Sequence, residues 1–221
     1  MATAQTAGAA RYVPQDHGLE SLRAAAQGCH GCALFEDATQ AVFGRGAAGA
    51  PIMLVGEQPG DREDRAGEPF VGPAGRLLAR ALADAGIDPS VTYQTNAVKH
   101  FKFTRKDGKR RIHQKPSRTE VVACRPWLLA EIDAVRPQVI VCLGATAAQS
   151  LLGADFRVST HRGEELRLPR AVLGAPVTPE PVVVATVHPS AVLRDRSDRH
   201  DEAYKSFVED LRGARSAADG V

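Results

Sequence analysis

The chain has 221 residues, 43% of them hydrophobic and 24% charged, with a formal net charge of +2. This is enough to bury one sizeable core, and the near-neutral balance excludes both a disordered chain and an extended coat for nucleic acid. No apolar run approaches the roughly 18 residues that a membrane span needs, and residues 1–10 lack the apolar core of a secretory signal, so a cytoplasmic location is expected. In that reducing compartment Cys29, Cys32, Cys124 and Cys142 read as buried thiols or metal ligands rather than disulfides.

Taken in chain order, residues 19–27 read as a short helix that runs into Gly28-Cys29-His30-Gly31-Cys32. Residues 52–55 are a short apolar run ending at Gly56, a buried strand feeding a loop of about 16 residues. Residues 72–85 have leucines and alanines at helical spacing, and 91–98 read as the next strand. Ser117 followed by Glu120 is a capping box, so a helix is predicted from there toward Val135, with Pro126 a candidate kink. Residues 138–143 form an apolar strand, 145–152 a helix, 182–187 another buried strand, and 201–211 a closing helix. This alternation predicts a three-layer α/β/α sandwich around a mainly parallel sheet, with ligands outside the carboxyl ends of the strands. A single domain over 12–213 is expected, with 1–11 and 214–221 as tails and the chain as a monomer.

Positive charge is concentrated in one segment. Residues 99–118 hold five lysines and four arginines against Asp107 alone, a local +8, so the rest of the chain carries −6. Phe101 and Phe103 interleave with these cations, the mixture expected where a phosphate backbone and unstacked bases bind. A solvated loop is the plain alternative.

Gly56-Glu57-Gln58-Pro59-Gly60, then Glu63-Asp64, Gly67 and Pro69-Phe70-Val71-Gly72-Pro73-Ala74-Gly75, make a glycine-punctuated loop after the first strand. Its glycines, Gly56 and Gly60 among them, let backbone amides approach an anionic or carbonyl-bearing ligand. The loop does not match a phosphate loop of the GxxxxGK[ST] type, which argues against a nucleoside triphosphate. Together with Thr95-Asn96, Leu143-Gly144-Ala145-Thr146 and Val187-His188-Pro189-Ser190-Ala191, it resembles the uracil-DNA glycosylase superfamily. The likeness is to the iron-sulfur families whose first motif reads GEAPG, and it spans about Leu19 to Leu211.

That resemblance implies that Phe70 stacks on a flipped base, that Asn96 reads uracil through O4 and N3–H, and that His188 donates to O2 as negative charge develops. A core aromatic, a turn-forming Asn and a structural His are the bland counterparts. Uracil-containing DNA is the implied partner, single-stranded and also double-stranded, in DNA repair. Cys29-x-x-Cys32 and Cys124 match three cluster cysteines of those families. The fourth position reads Val98-Lys99-His100, so a 4Fe-4S cluster held by Cys29, Cys32, His100 and Cys124 is expected. Cys142 competes as fourth ligand, and a zinc Cys3His site is the structural alternative.

Lys109-Arg110-Arg111-Ile112-His113, absent from ordinary iron-sulfur glycosylases, resembles the signature loop of UdgX, the X-type branch that forms a covalent complex with uracil-DNA. Gln58 in GEQPG fits the same branch. The resemblance implies His113 as a nucleophile toward the sugar C1′, with Glu57 and Gln58 in the catalytic group. Lys109, Arg110, Arg111 and Ser190 are then DNA contacts. In this reading Glu57 accepts the other ring N–H of His113. A conventional turnover glycosylase using water, and a non-enzymatic iron-sulfur DNA-binding protein, stay open at this point.

Overall fold

A computed structural model of the chain describes residues 8–106, 110–169 and 180–220. Four wholly buried strands carry the fold: β1 (Ile52–Gly56), β2 (Thr92–Asn96), β5 (Val139–Leu143) and β7 (Val182–Thr186). They pair in parallel in the order β2-β1-β5-β7, and the short β6 (Glu165–Arg167) closes the β7 edge antiparallel. The side-chain period of two divides each apolar run between two faces. Ile52, Leu54, Val139, Val141, Val182 and Val184 face a cluster made with α3 (Pro73–Asp84), α7 (Pro189–Arg194) and α8 (His200–Asp219). Met53, Val55, Ile140, Cys142, Val183 and Ala185 face α4 (Arg118–Val135) and α5 (Ala145–Leu152). This is the expected three-layer α/β/α sandwich. A third cluster joins α1 (Leu19–Ala26) to the other side of α4 and includes Cys29, Cys124 and Trp127.

Local chemistry sets the boundaries. Ser117 Oγ accepts from the Glu120 amide while the Ser117 amide donates to Glu120, so the capping box starts α4. The helix then runs through Pro126 without ending. The expected 16-residue loop instead contains α2 (Asp61–Ala66), whose first turn carries Asp61, Glu63 and Asp64, favourable at the positive end of a helix. The charged segment is not a loop either: β3 (Phe103–Lys106) and β4 (Arg110–His113) form an antiparallel hairpin placing Phe103 opposite His113. Between α5 and β6 lies a single short turn of helix, α6 (Val158–His161). Residues 1–7 and 221 of the expected tails lie outside the described residues, and the described parts of both tails are packed. Ala9 is buried in the third cluster, and α8 continues to Asp219 with Ala214, Ala217 and Ala218 in the core.

Because β1, β2, β5 and β7 are parallel, Gly56, Asn96, Leu143 and Thr186 end at the same edge of the sheet. The loops that leave this edge, and the β3–β4 hairpin, enclose the candidate site.

Candidate active site

A cavity of about 800 Å³ opens at that edge, lined among others by Glu57, Gln58, Phe70, Asn96, His113 and His188. Glycines make the convergence possible. A Cβ on Gly56 would lie 2.3 Å from Asn96 Oδ1 and 2.9 Å from Phe70 Cζ, so only hydrogen there lets the amide and the ring meet. Phe70 takes a left-handed φ of 58°, unusual for an aromatic residue. It is held by the start of α3, where a Cβ on Gly75 would collide with the Phe70 carbonyl. Gly60 lines the same cavity as the cap of α2, and Glu63 ties that helix to the loop by accepting from the Gly72 amide at 2.7 Å.

His188 caps α7. Its Nδ1 accepts from the Ser190 amide at 3.1 Å and lies 2.8 Å from Ser190 Oγ, so a neutral ring carries its proton on Nε2. Burial, with smaller contributions from Arg194 and His113, pushes the His188 pKa down to about 4. The result is a neutral N–H donor at the cavity wall. Ser190 acts first as the support of this ring.

His113 ends β4 at the cavity mouth, half-exposed, with Nε2 2.9 Å from Gln58 Nε2 and 3.5 Å from Glu57 Oε1. Gln58 Oε1 accepts from the Lys102 amide, which fixes the amide's orientation, and its NH2 faces the carbonyls of Gln114 at 2.9 Å and Lys102 at 3.2 Å. Two carbonyls compete for its two hydrogens, so the contact with His113 is a shared third one. Burial holds the His113 pKa below the ordinary histidine value, Glu57 opposes that, and Arg194 adds to it. Glu57 does not sit on the far ring nitrogen, as the sequence suggests. It lies beside Nε2, with its other oxygen held by the Thr146 hydroxyl.

The KRRIH segment divides. Lys109 lies outside the described residues, and Arg110 is exposed at the start of β4. Arg111 does not face solvent as a phosphate contact would. Its side chain is 7% exposed, pairs with Asp61 and with Asp64 Oδ2 at 2.6 Å, and lies over the rings of Phe101 and Phe103. It clamps the hairpin onto α2.

Comparison with known proteins now fits this geometry. Residues 43–212 match the family described as the uracil DNA glycosylase superfamily. The chain belongs to that superfamily. It is 37% identical over 189 residues to a type-4 uracil-DNA glycosylase of Thermotoga maritima, covering 85% of this chain and 88% of that relative. A type-4 enzyme of Archaeoglobus fulgidus is 38% identical over 75% of this chain and 78% of its own. A type-5 uracil-DNA glycosylase of Pyrobaculum aerophilum is 31% identical over 64% and 66% respectively.

Away from the cavity of this superfamily member, three thiols gather in the third cluster. Cys29 Sγ accepts from the Trp127 indole at 3.2 Å and Cys124 Sγ from the Lys99 amide at 3.3 Å, and Cys32 packs against the same cluster. Burial pushes the Cys124 thiol up to about 12 and raises Cys32, each thiol feeling the charge of its neighbours. His100 is buried near His30, the neighbour of Cys29, and burial holds it neutral with a pKa of about 4. Among the described residues no three His, Cys, Asp or Glu side chains close to metal-holding distance. The donor set nonetheless suits a thiolate-rich centre, since each of two sulfurs already receives an N–H. Cys142 lies apart, in the centre of the sheet within the second cluster.

Sequence reasoning missed the partners of the basic segment. Lys99 is buried against Glu131, Lys102 pairs with Glu120 at 2.9 Å, and Arg111 is clamped as described. Among the described residues, the outward cations of this segment are Arg105, Lys106, Arg110, Lys115 and Arg118. Nothing local in the sequence marks which cation is paired, because the acids lie 18 to 50 positions away. No helix among the described residues is long and apolar enough to cross a membrane.

Proposed function

We propose that this chain excises uracil from DNA, as a step in DNA repair, and then holds the abasic sugar covalently through His113, in the manner of the X-type branch. The observation that carries this reading is an imidazole at the mouth of the base cavity, its Nε2 facing Glu57 and only loosely held by Gln58, where burial favours the uncharged form. The runs of outward cations on the hairpin suit a DNA backbone, single-stranded or double-stranded.

A flipped uracil would enter between Phe70 and Asn96, with the Asn96 amide matching O4 and N3–H. The C1′–N1 bond breaks with its electron pair leaving on uracil, and His188 Nε2–H stabilises the resulting anion before water protonates N1. Positive charge left on the sugar lies beside the Glu57 carboxylate. The lone pair of His113 Nε2 then forms a bond to C1′, and the imidazolium loses its Nδ1 proton to solvent. Because the ring is already positioned, it outcompetes water by the effective-concentration advantage of an intramolecular attack.

Cys29, Cys32, His100 and Cys124 would hold a 4Fe-4S cluster that braces the segment between β2 and β3; every step above is carried by the chain's own side chains. Incubation with a uracil-containing oligonucleotide followed by denaturing electrophoresis tests the reading. Release of free uracil together with a slow-migrating protein-DNA band is expected. Release over many cycles without a band would leave a conventional glycosylase that uses water, and no release would leave a DNA-binding protein.

A further inference from the structure

Behind the base-reading Asn96 lies a buried charged network that the reaction as described does not use. Lys99 is 1% exposed and Glu131 is fully buried, and the two side chains meet at 2.5 Å. The three ammonium hydrogens have three acceptors: Glu131 Oε2, Thr95 Oγ1 at 2.8 Å and the Asn96 carbonyl at 2.7 Å. Glu131 in turn accepts from the Tyr93 hydroxyl at 3.0 Å, the Gly44 amide at 3.0 Å and the Thr95 hydroxyl at 2.9 Å. Every polar group is satisfied, and Gly44 is required, since a Cβ there would strike the Tyr93 hydroxyl.

A buried ion pair gains little over apolar side chains of the same volume, because removing two charges from water offsets their attraction. What it supplies here is geometry. The ammonium grips the Asn96 carbonyl from inside, at the last residue of β2 to pair with β1, while the Ala97 and Val98 amides just beyond it donate to the Gly56 and Glu57 carbonyls. On the far side the Asn96 amide faces Phe70 across Gly56. We propose that Lys99 and Glu131 are positioning residues that fix the backbone of Asn96, and so the angle at which its amide meets the base. This rests on the reading of the cavity as a uracil site.

The test measures uracil release under single turnover, with the enzyme titrated to saturation, and iron content and melting alongside. The double variant Lys99→Met/Glu131→Gln removes both charges and leaves no lone buried ion. It is expected to slow release at saturation by about 100-fold, the scale of a misplacement of ~1 Å, while half-saturation and iron content stay as in wild type. Lys99→Gln/Glu131→Gln, which keeps an N–H donor near the Asn96 carbonyl, is expected to recover part of the rate. In an Asn96→Ala background the same double change is expected to add no further loss, because both act through one side chain. Thr95→Val, which takes one of three partners from the ammonium, gives a smaller loss with the same non-additivity and serves if the double variant does not fold. Wild-type rates, a full additive loss on Asn96→Ala, or loss of iron with the rate would each overturn the proposal. If wild type and Asn96→Ala differ while the double variant matches wild type, the positioning role falls and the excision reading stands. If wild type releases no uracil, the excision reading itself falls.

Discussion

Replacing Arg111 by methionine separates a clamp from a phosphate contact. Methionine keeps apolar contact with Phe101 and Phe103 but abandons two carboxylates. Asp64 is fully buried yet retains the amide and hydroxyl of Thr39, and Asp61 is 41% exposed and retains Arg65. The loss therefore falls at the low end for a broken buried pair, about 3 kcal/mol. For a domain of this size that lowers the melting temperature by roughly 6–12 °C. The hairpin, still pinned by Gln58, then holds His113 loosely. Adduct formation should slow by about 100-fold, the effect of a misplaced reacting group, while uracil release persists because Phe70, Asn96 and His188 sit on other elements. Thermal unfolding, uracil release and denaturing gels measure the three quantities. An unchanged melting temperature together with a salt dependence of DNA binding reduced by about one charge would refute the clamp and return Arg111 to the phosphates.

Asn96→Ala and His188→Ala should each slow single-turnover uracil release, His188→Ala by about 100- to 1,000-fold as the loss of one anion-stabilising donor; unchanged rates in folded protein would remove the pocket assignment. The unfolded His188 imidazole takes a proton near pH 6.5 and the folded one only near 4. Between those values the unfolded state binds more protons, so stability should fall as pH drops through that window, and His188→Gln should flatten the fall in a urea titration. Anaerobically purified protein should be brown with iron and sulfide, Cys124→Ala should lose the colour, and Cys142→Ala should keep it; zinc without sulfide would replace the cluster by a zinc site.

The parts of this fold that were legible in the sequence are those where one interaction dominates. The strands at Ile52, Val139 and Val182 read as unbroken apolar runs because helices cover both faces of the sheet. Ser117 and Glu120 announced α4 because a capping box is local in sequence. The segment Asp61–Ala66 read as loop because its acids carry no apolar periodicity; their use is electrostatic, at a helix start and against Arg111. The hairpin had a signal in the alternation around Phe103 and Ile112, but its charge obscured it. Ala214, Ala217 and Ala218 recur at helical spacing on α8, yet alanine weighs little in a hydrophobic pattern.

The candidate site divides along the same line. Phe70, Asn96, His113 and His188 could be named from motifs, and the structure brings them to one cavity. The identity of the partners could not, because Glu57 beside Nε2, Thr146 on Glu57 and Glu131 on Lys99 are contacts between distant segments. Counting charge over 99–118 treated Lys99 and Arg111 as part of an outward patch, and only burial distinguishes them from Arg105 and Arg110.

In the proposed mechanism His113 captures the sugar after uracil has left. Intact-mass measurement of the denatured product, with peptide mapping, tests it most directly in wild type and in His113→Ser. Wild type should gain the mass of the oligonucleotide less uracil, placed on His113, whereas His113→Ser should release uracil repeatedly and gain nothing. An adduct on another residue, or one that persists in His113→Ser, would contradict the account.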